Sequence, residues 1–172
     1  LKRAFSTISA IQLLVSRQNM LCARILLRTH LDTALRFGAA WLVDNPHEFA
    51  TKVMGCEQVN KLKDRSGNQM NDRYLVELAS GQYPWVVEVY KRTSGYVHFS
   101  DGHLTAAMVP DGSDPGRFTV ALGPTDEWFP EESWIETLDC FHEVSAIIFQ
   151  YIRGWTVTKS GAAPLPETGS CP

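Results

Sequence analysis

The sequence predicts a mainly α-helical bundle of about six helices, with a β-hairpin inserted before the last long helix. Apolar residues recur at spacings of three and four through most of the chain, as on the buried faces of amphipathic helices. Between about residues 104 and 123 this pattern gives way to short, partly alternating runs around a segment rich in Pro, Gly and Asp. The helical pattern then returns after residue 130 and continues for about six turns.

The composition indicates one globular domain. The chain has 172 residues, of which 44% are hydrophobic and 20% charged, so a sizeable core is expected over residues 1–157. Residues 158–172 turn to Gly, Ala, Pro and Ser, which predicts a flexible tail. The first residue is Leu rather than Met, which leaves open whether residues precede it.

Charge and cysteine usage exclude several classes of protein. A formal net charge of −3 argues against a generally basic surface, so any RNA site is expected to be a local patch. Apolar runs fall short of the ~18 residues that span a membrane, and we expect no membrane association. The four cysteines are scattered without a C-x-x-C pair, which favours reduced thiols in a cytoplasmic protein that binds no metal or cofactor. They are Cys22, Cys56, Cys140 and Cys171.

The first two helices are predicted over residues 4–15 and from about residue 20 to Trp41. The second has the clearest apolar stripe, formed by Leu27, Leu31, Ala34, Gly38 and Trp41. Its opposite side steps by four residues through Arg24, Arg28, Asp32 and Arg36. This side is interpreted as a solvated face on which Asp32 pairs with a neighbouring arginine. The functional alternative is that Asp32 orients Arg92 while Arg28 adds positive charge to a phosphate site.

A third helix should begin at Pro46, because Asn45 can cap it and Pro46 suits its first position. Its apolar spacing predicts a helix that continues to residue 62 or 63, followed by a charged surface turn at 63–68. A shorter helix over residues 69–80 is expected to turn three side chains inward, namely Met70, Tyr74 and Leu78.

A fifth helix follows Pro84, with Trp85, Val89, Arg92, Tyr96 and Phe99 on one stripe. Arg92 thus interrupts an apolar face, and a buried arginine needs a partner. Asp32 is the first candidate for that partner, and Glu88, four residues earlier, is the local alternative. Tyr90 and Tyr96 are interpreted as aromatic residues of the core or an interface.

Residues 90–103 concentrate the chemistry of the chain, with an arginine, two histidines, two tyrosines and two serines. On one straight helix, Arg92 and His98 would lie about 120° apart in azimuth and roughly 9 Å apart along the axis. They could share a site only if the helix bent near Gly95 or a second copy supplied its own pair across a two-fold axis. An arginine that stabilises phosphate charge and a histidine that moves a proton suffice for metal-free RNA cleavage. The alternative is two satisfied polar groups in a non-catalytic bundle.

The hairpin strands are predicted over residues 104–109 and 117–122, as a lid or a dimer edge beside His98 and His103. The final helix presents an apolar face made of Trp134, Leu138, Phe141, Ser145, Ile148, Ile152 and Trp155. In the tail, residues 165–169 match the sortase pattern Leu-Pro-x-Thr-Gly, and coincidence, truncation and an appended tag all stay open.

Residues 27–32, which read Leu-Arg-Thr-His-Leu-Asp, and residues 90–100 together resemble the HEPN superfamily (higher eukaryotes and prokaryotes nucleotide-binding), in particular an uncharacterised helical branch of it. The resemblance covers about residues 5–103. It implies a helical bundle, commonly dimeric, of a kind that includes metal-independent endoribonucleases of toxin–antitoxin and other defence systems. In that case Arg92 would stabilise the phosphate and His98 would act as acid–base. The supporting or substrate-binding residues would be Arg28, Asp32, Tyr90, Ser94, Tyr96, Ser100 and His103.

We therefore expect a HEPN-like RNA-binding protein with a homodimeric partner and an antitoxin or other protein partner, and leave open whether it is an endoribonuclease. It departs from the family pattern at Thr93, where a polar residue such as Asn is common, and at Gly95 within the motif. The alternative is a non-catalytic helical module for protein–protein interaction, with the hairpin and the Tyr96/Phe99 stripe as its interface. A small-molecule hydrolase is a weaker third hypothesis, because the chain lacks a nucleophile-elbow motif.

Overall fold

The protein is described from a computed structural model, which covers residues 1–98, 100–110, 114 and 117–160. Phe99, Cys171 and the sortase-like residues 165–169 lie outside the described residues. The described chain forms seven α-helices and one two-stranded antiparallel hairpin before the last long helix, which confirms the predicted mainly-α fold. The elements are α1 (Lys2–Ser16), α2 (Met20–Gly38), α3 (Pro46–Met54), α4 (Asp72–Ser80), α5 (Trp85–Val97), α6 (Asp101–Ala107), β1 (Met108–Pro110), β2 (Phe118–Val120) and α7 (Glu131–Ser160).

Helix α2 occupies the centre of the bundle and contacts α1, α4, α5 and α7. Its first turn is capped by Asn19, whose side chain accepts a hydrogen bond from the backbone N–H of Cys22 at 2.9 Å. Its apolar residues supply much of the core, including Ala23, Leu27, Leu31, Ala34 and Leu35. Four residues of the predicted stripe are buried where the other helices pack, namely Leu27, Leu31, Ala34 and Gly38. The helix ends at Gly38 rather than at Trp41, which lies in the 3₁₀ turn Ala39–Trp41 and is 36% exposed.

Helix α3 begins where the sequence predicts but ends earlier. Asn45 Oδ1 accepts hydrogen bonds from the backbone N–H groups of His47 and Glu48, both at 3.1 Å. The helix stops at Met54 rather than at residue 62 or 63, because Cys56 adopts a positive φ of 68° and its N–H bonds back to the Val53 carbonyl. A short 3₁₀ turn, Val59–Lys61, replaces the predicted last turns.

The turn at residues 63–68 is more than a charged surface feature. The Asp64 carboxylate accepts hydrogen bonds from the N–H groups of Ser66 and Asn68, and Gly67 takes the positive φ of 85° that closes the turn. The turn carries Arg65 back to the end of α2, where its guanidinium donates to three carbonyls. These are the carbonyls of Trp41 at 2.6 Å, Leu42 at 3.1 Å and Val43 at 3.3 Å.

Helix α4 starts after its cap residue Asn71. Met70 is fully buried, as predicted, but Leu78 is exposed, and the helix buries Leu75 and Val76 instead. The buried face of α4 is therefore rotated about the helix axis relative to the face that the sequence predicted.

The predicted first hairpin strand is largely helical. Residues 101–107 form α6, and β1 begins only at Met108, which pairs with Val120. Ala106 and Ala107 favour helix, and the alternation across 104–109 is too partial to oppose that preference. Both Phe118 and Val120 of β2 are exposed, at 54% and 53%.

Helix α7 closes the bundle across α2 and α1. Its buried residues are Thr137, Phe141, Val144, Ile147 and Ile148, whereas Leu138 and Trp155 of the predicted face are exposed. It reaches Ser160, past the predicted start of the tail, and residues 161–172 lie outside the described residues. Across the part of the chain that the structure covers, every helix is too short or too polar to traverse a lipid bilayer.

Candidate functional site

Arg28 is buried between α2 and α5 rather than solvated. The residue is 7% exposed, it forms an ion pair with Asp32, and its guanidinium carbon lies 3.7 Å from the centroid of the Tyr90 ring. Its Nε also donates to Ser94 Oγ at 3.4 Å. The predicted pairing of Asp32 with a neighbouring arginine is confirmed, but the prediction of a solvated face is wrong at Arg28. Four of the predicted supporting residues thus meet at one helix–helix contact, which we call the Arg28 cluster. They are Arg28, Asp32, Tyr90 and Ser94.

Arg92 has partners other than the one first predicted. Its Nε donates to Glu88 Oε1 at 2.7 Å, and its Nη1 donates to Glu136 Oε1 of α7 at 3.1 Å. Asp32 is not a partner of Arg92, whereas Glu88, the local alternative, is one of its two partners. The side chain is 62% exposed and does not interrupt an apolar face, because α5 buries Val86 and Thr93 instead. The hydrogen bond to Glu88 and the two carboxylate charges raise the Arg92 pKa, so the guanidinium is charged.

His98 ends α5. It is exposed, its backbone is extended, and its N–H donates to the Ser94 carbonyl at 3.2 Å. Helix α5 continues without a break through Gly95 to Val97, and among the described residues no hydrogen bond or ion pair joins the side chains of Arg92 and His98. Convergence across a dimer stays a prediction.

Two of the three remaining supporting residues, Ser100 and His103, lie at the junction of α5 and α6. Ser100 Oγ donates to the Gly95 carbonyl at 2.9 Å, which ties the start of α6 to the end of α5. His103 is half-buried in the first turn of α6, where its backbone N–H donates to the Ser100 carbonyl at 3.1 Å. The structure therefore places Ser100 and His103 near the end of α5.

A cleft of about 230 Å³ opens between α2, α5 and α7. Arg92 lies on its wall, as does Arg24, which the sequence placed on the charged side of α2 but not among the site residues. The Arg24 guanidinium donates to Tyr96 Oη, and its carbon lies 5.2 Å from the Tyr96 ring centroid and 5.1 Å from that of Phe129. The full lining is Arg24, Leu27, Val89, Arg92, Thr93, Gly95, Tyr96, Glu136, Thr137 and Cys140.

Cys140 is the thiol that lines this cleft. Burial raises its pKa, and the negative charges of Glu136 and Asp139 raise it further. A thiol with a raised pKa stays protonated at neutral pH and is a poor nucleophile. We therefore assign Cys140 no catalytic part.

The sequence interpretation missed a buried histidine at the contact of α1, α2 and α7. His30 Nδ1 lies 2.8 Å from Thr7 Oγ1, and Nε2 lies 2.9 Å from Ser145 Oγ. The ring stacks on Phe141 with centroids 4.2 Å apart. Burial, and then the charge of Arg3, lower the pKa of His30 to about 4, so the ring is neutral at pH 7. Its place one residue before Leu31, on the buried side of α2, was the signal that could have identified it.

Ser145 is not arranged as an activated nucleophile, although it neighbours His30. Its hydroxyl also donates to the Phe141 carbonyl at 2.9 Å, as a helix-bound serine often does. The group therefore holds three helices together. Within the described ranges, His, Cys, Asp and Glu side chains form no group of three or more that could hold a metal ion.

Comparison of the chain with protein-family models, with curated proteins and with solved structures yields no significant match. The resemblance to HEPN proteins therefore stays a prediction that rests on the short segments quoted above.

Proposed function

We propose that the chain is a HEPN-like RNA-binding protein that acts as a homodimer, in which Arg92 of one copy and His98 of the other cleave the RNA backbone without a metal. The observation that supports this most is the exposure of both side chains at the surface of α5. A group sealed in the core could not meet a phosphodiester, and neither group is sealed.

Arg92 can still donate to a phosphate oxygen while it holds its carboxylates. Glu88 and Glu136 take Nε and Nη1, and among the described residues Nη2 has no hydrogen-bond partner. A guanidinium has five N–H donors, two of them on Nη2. The fixed carboxylates keep the plane of the guanidinium in place, so the free edge is pre-oriented for a phosphate.

The chemistry needs one base and one cation. The His98 imidazole removes the proton of the 2′-hydroxyl, whose oxygen attacks the adjacent phosphorus while the bond to the 5′-oxygen breaks. Arg92 stabilises the negative charge that develops on the phosphoryl oxygens, and water supplies a proton to the departing 5′-oxygen. The products are a 2′,3′-cyclic phosphate and a free 5′-hydroxyl.

The test is cleavage of a fluorescent single-stranded RNA, followed on gels with EDTA present. His98→Ala should abolish cleavage, whereas His142→Ala, which removes a histidine that is 81% exposed on α7, should not. Survival of cleavage in the His98→Ala protein, or its loss on adding EDTA to the wild type, would remove the assignment.

A mixing experiment tests the dimeric arrangement. Arg92→Ala and His98→Ala homodimers should both be inactive, but a mixed dimer has one intact site formed by the unaltered residue of each copy. An equal mixture that exchanges subunits should therefore recover about a quarter of the wild-type rate, since about half of the dimers are mixed. If the mixture stays inactive although subunits exchange, the shared site is excluded.

The second candidate is a non-catalytic module for protein–protein interaction, and the hairpin favours it. Phe118 and Val120 expose more than half of their surface, and the neighbouring Leu122 is also exposed. Exposed apolar side chains that cluster at one place often mark an interface. A purified protein that dimerises through the hairpin, loses the dimer on Phe118→Ser, and neither cuts nor binds RNA would support this function and contradict the first.

A further inference from the structure

The cleft between α2, α5 and α7 combines an unneutralised positive charge with an apolar lining. Arg24 is half-buried, and its described contacts are the Tyr96 hydroxyl and the rings of Tyr96 and Phe129. Among the described residues no carboxylate lies within ion-pair distance of it. Aromatic faces offset part of the cost of removing a cation from water, but they supply no counter-charge.

The positive charge of the cleft that no described carboxylate offsets is that of Arg24. Arg92 also lines the cleft, and its Nη2 keeps free donors, but its charge is already offset by ion pairs with Glu88 and Glu136. One anionic group on the ligand would balance the charge of Arg24.

The two threonine hydroxyls of the cleft are already used. The Thr93 hydroxyl donates to the Val89 carbonyl at 2.6 Å, and that of Thr137 donates to the Ser133 carbonyl at 2.8 Å. Leu27 and Val89 add apolar surface. A ligand rich in hydroxyls would find few donors here, whereas an apolar body would lose little by entering.

From these observations we infer that the cleft binds a small amphipathic monoanion, with a carboxylate on Arg24 and an apolar or aromatic body against Leu27 and Val89. The volume of about 230 Å³ is smaller than the roughly 300–1,000 Å³ of sites for drug-sized ligands, so the body is small. This site does not rest on the proposed RNA chemistry, because it uses neither His98 nor a second copy.

The test uses 1-naphthoate as the probe and its neutral analogue 1-naphthamide as the ligand control, measured by calorimetric titration of the full chain. Naphthoate should bind saturably, and naphthamide should bind roughly tenfold or more weakly because it lacks the charge. Arg24→Met keeps the apolar stem and should weaken naphthoate by a similar factor. Arg73→Met, which removes an exposed arginine of α4, should leave affinity unchanged.

A second measurement needs no variant. Cys140 lines the cleft and Cys56 is exposed outside it, so both can be alkylated with iodoacetamide at pH 9 and followed by peptide mass spectrometry. Saturating naphthoate should slow the modification of Cys140 several-fold and leave that of Cys56 unchanged. No saturable binding, equal affinity for the amide, full affinity in folded Arg24→Met, or an unprotected Cys140 would each overturn the inference.

Discussion

Lowering the pH from 7.5 to 5 should destabilise this protein through His30. The ring is fully buried, and its pKa in the folded state is about 4, against an ordinary value of 6.5. The unfolded chain therefore binds a proton more readily than the folded one between these two values. The stability contributed by the neutral ring is complete above pH 6.5 and is lost as the pH falls toward 4.

The size of the effect follows from the difference in pKa. Each pKa unit corresponds to about 1.4 kcal/mol, so the full loss below both values is about 3 kcal/mol. At pH 5 most unfolded chains carry the proton and few folded ones do, which makes the expected loss relative to pH 7.5 about 2 kcal/mol.

Urea unfolding at pH 7.5, 6.5 and 5.0 measures this loss, with His30→Gln as the comparison. The variant should be less stable at pH 7.5, because its amide cannot reproduce both contacts to Thr7 and Ser145, but its stability should depend less on pH. Other titrating groups contribute equally to both proteins and cancel in the difference. The same pH dependence in both proteins would refute the reasoning.

The pKa can also be measured in the native protein, which covers the case of a variant that does not fold. The ¹³Cε1 resonance of the His30 ring should show no protonation down to about pH 5. A midpoint near 6.5 would show that burial does not hold the ring neutral. Replacing Arg3 with Gln should raise the midpoint, because the charge of Arg3 is the second cause of the shift.

Two further predictions concern the frame of the bundle. Gly38→Ala should lower the free energy of unfolding, measured in urea, by about 1–3 kcal/mol, because a Cβ there would lie 2.7 Å from Tyr151 Oη, where α2 crosses α7. Gly123→Ala is the matched control, because a Cβ at Gly123 meets nothing within 4 Å. Equal losses in the two variants would contradict the argument. Arg65→Ala should cost about 1 kcal/mol by removing the donors to the carbonyls that follow α2. An unchanged urea midpoint would show that water replaces those donors at no cost.

The structural features that the sequence predicted correctly are those determined by neighbouring residues. The start of α3 was predicted because Asn45 and Pro46 determine it within one turn of the chain. The end of α3 was missed because it depends on the backbone of Cys56, a residue type that does not mark a positive φ as glycine does. The strand predicted from residue 104 was wrong before Met108 because its partial alternation was a weaker signal than the helix propensity of two alanines.

The partners of the site residues could not be read from local pattern. Helical spacing gives the azimuth of Arg92 on α5 but not which helix lies opposite, and Glu136 is 44 positions later in the chain. A charge on α2 was read as solvated, although the stem of Arg28 and the ring of Tyr90 allow the guanidinium to be buried while it stays paired. Spacing thus identified the groups, and the packing of α2, α5 and α7 decided their contacts.

The Arg28 cluster also fixes the orientation of α5 and so bears on the proposed catalytic pair. Tyr90 and Ser94 are one turn apart on α5 and both contact Arg28, so that side of the helix faces α2. Arg92 lies two residues from each, which is about 160–200° round the helix, and it therefore points away from Arg28 and Asp32. His98 is one turn beyond Ser94. By helical spacing its position lies roughly 120° from that of Arg92 round the axis of α5. The proposed dimer has a second copy supply one of the two groups, and a chain that cleaves RNA at full rate when diluted to a monomer would contradict the proposal.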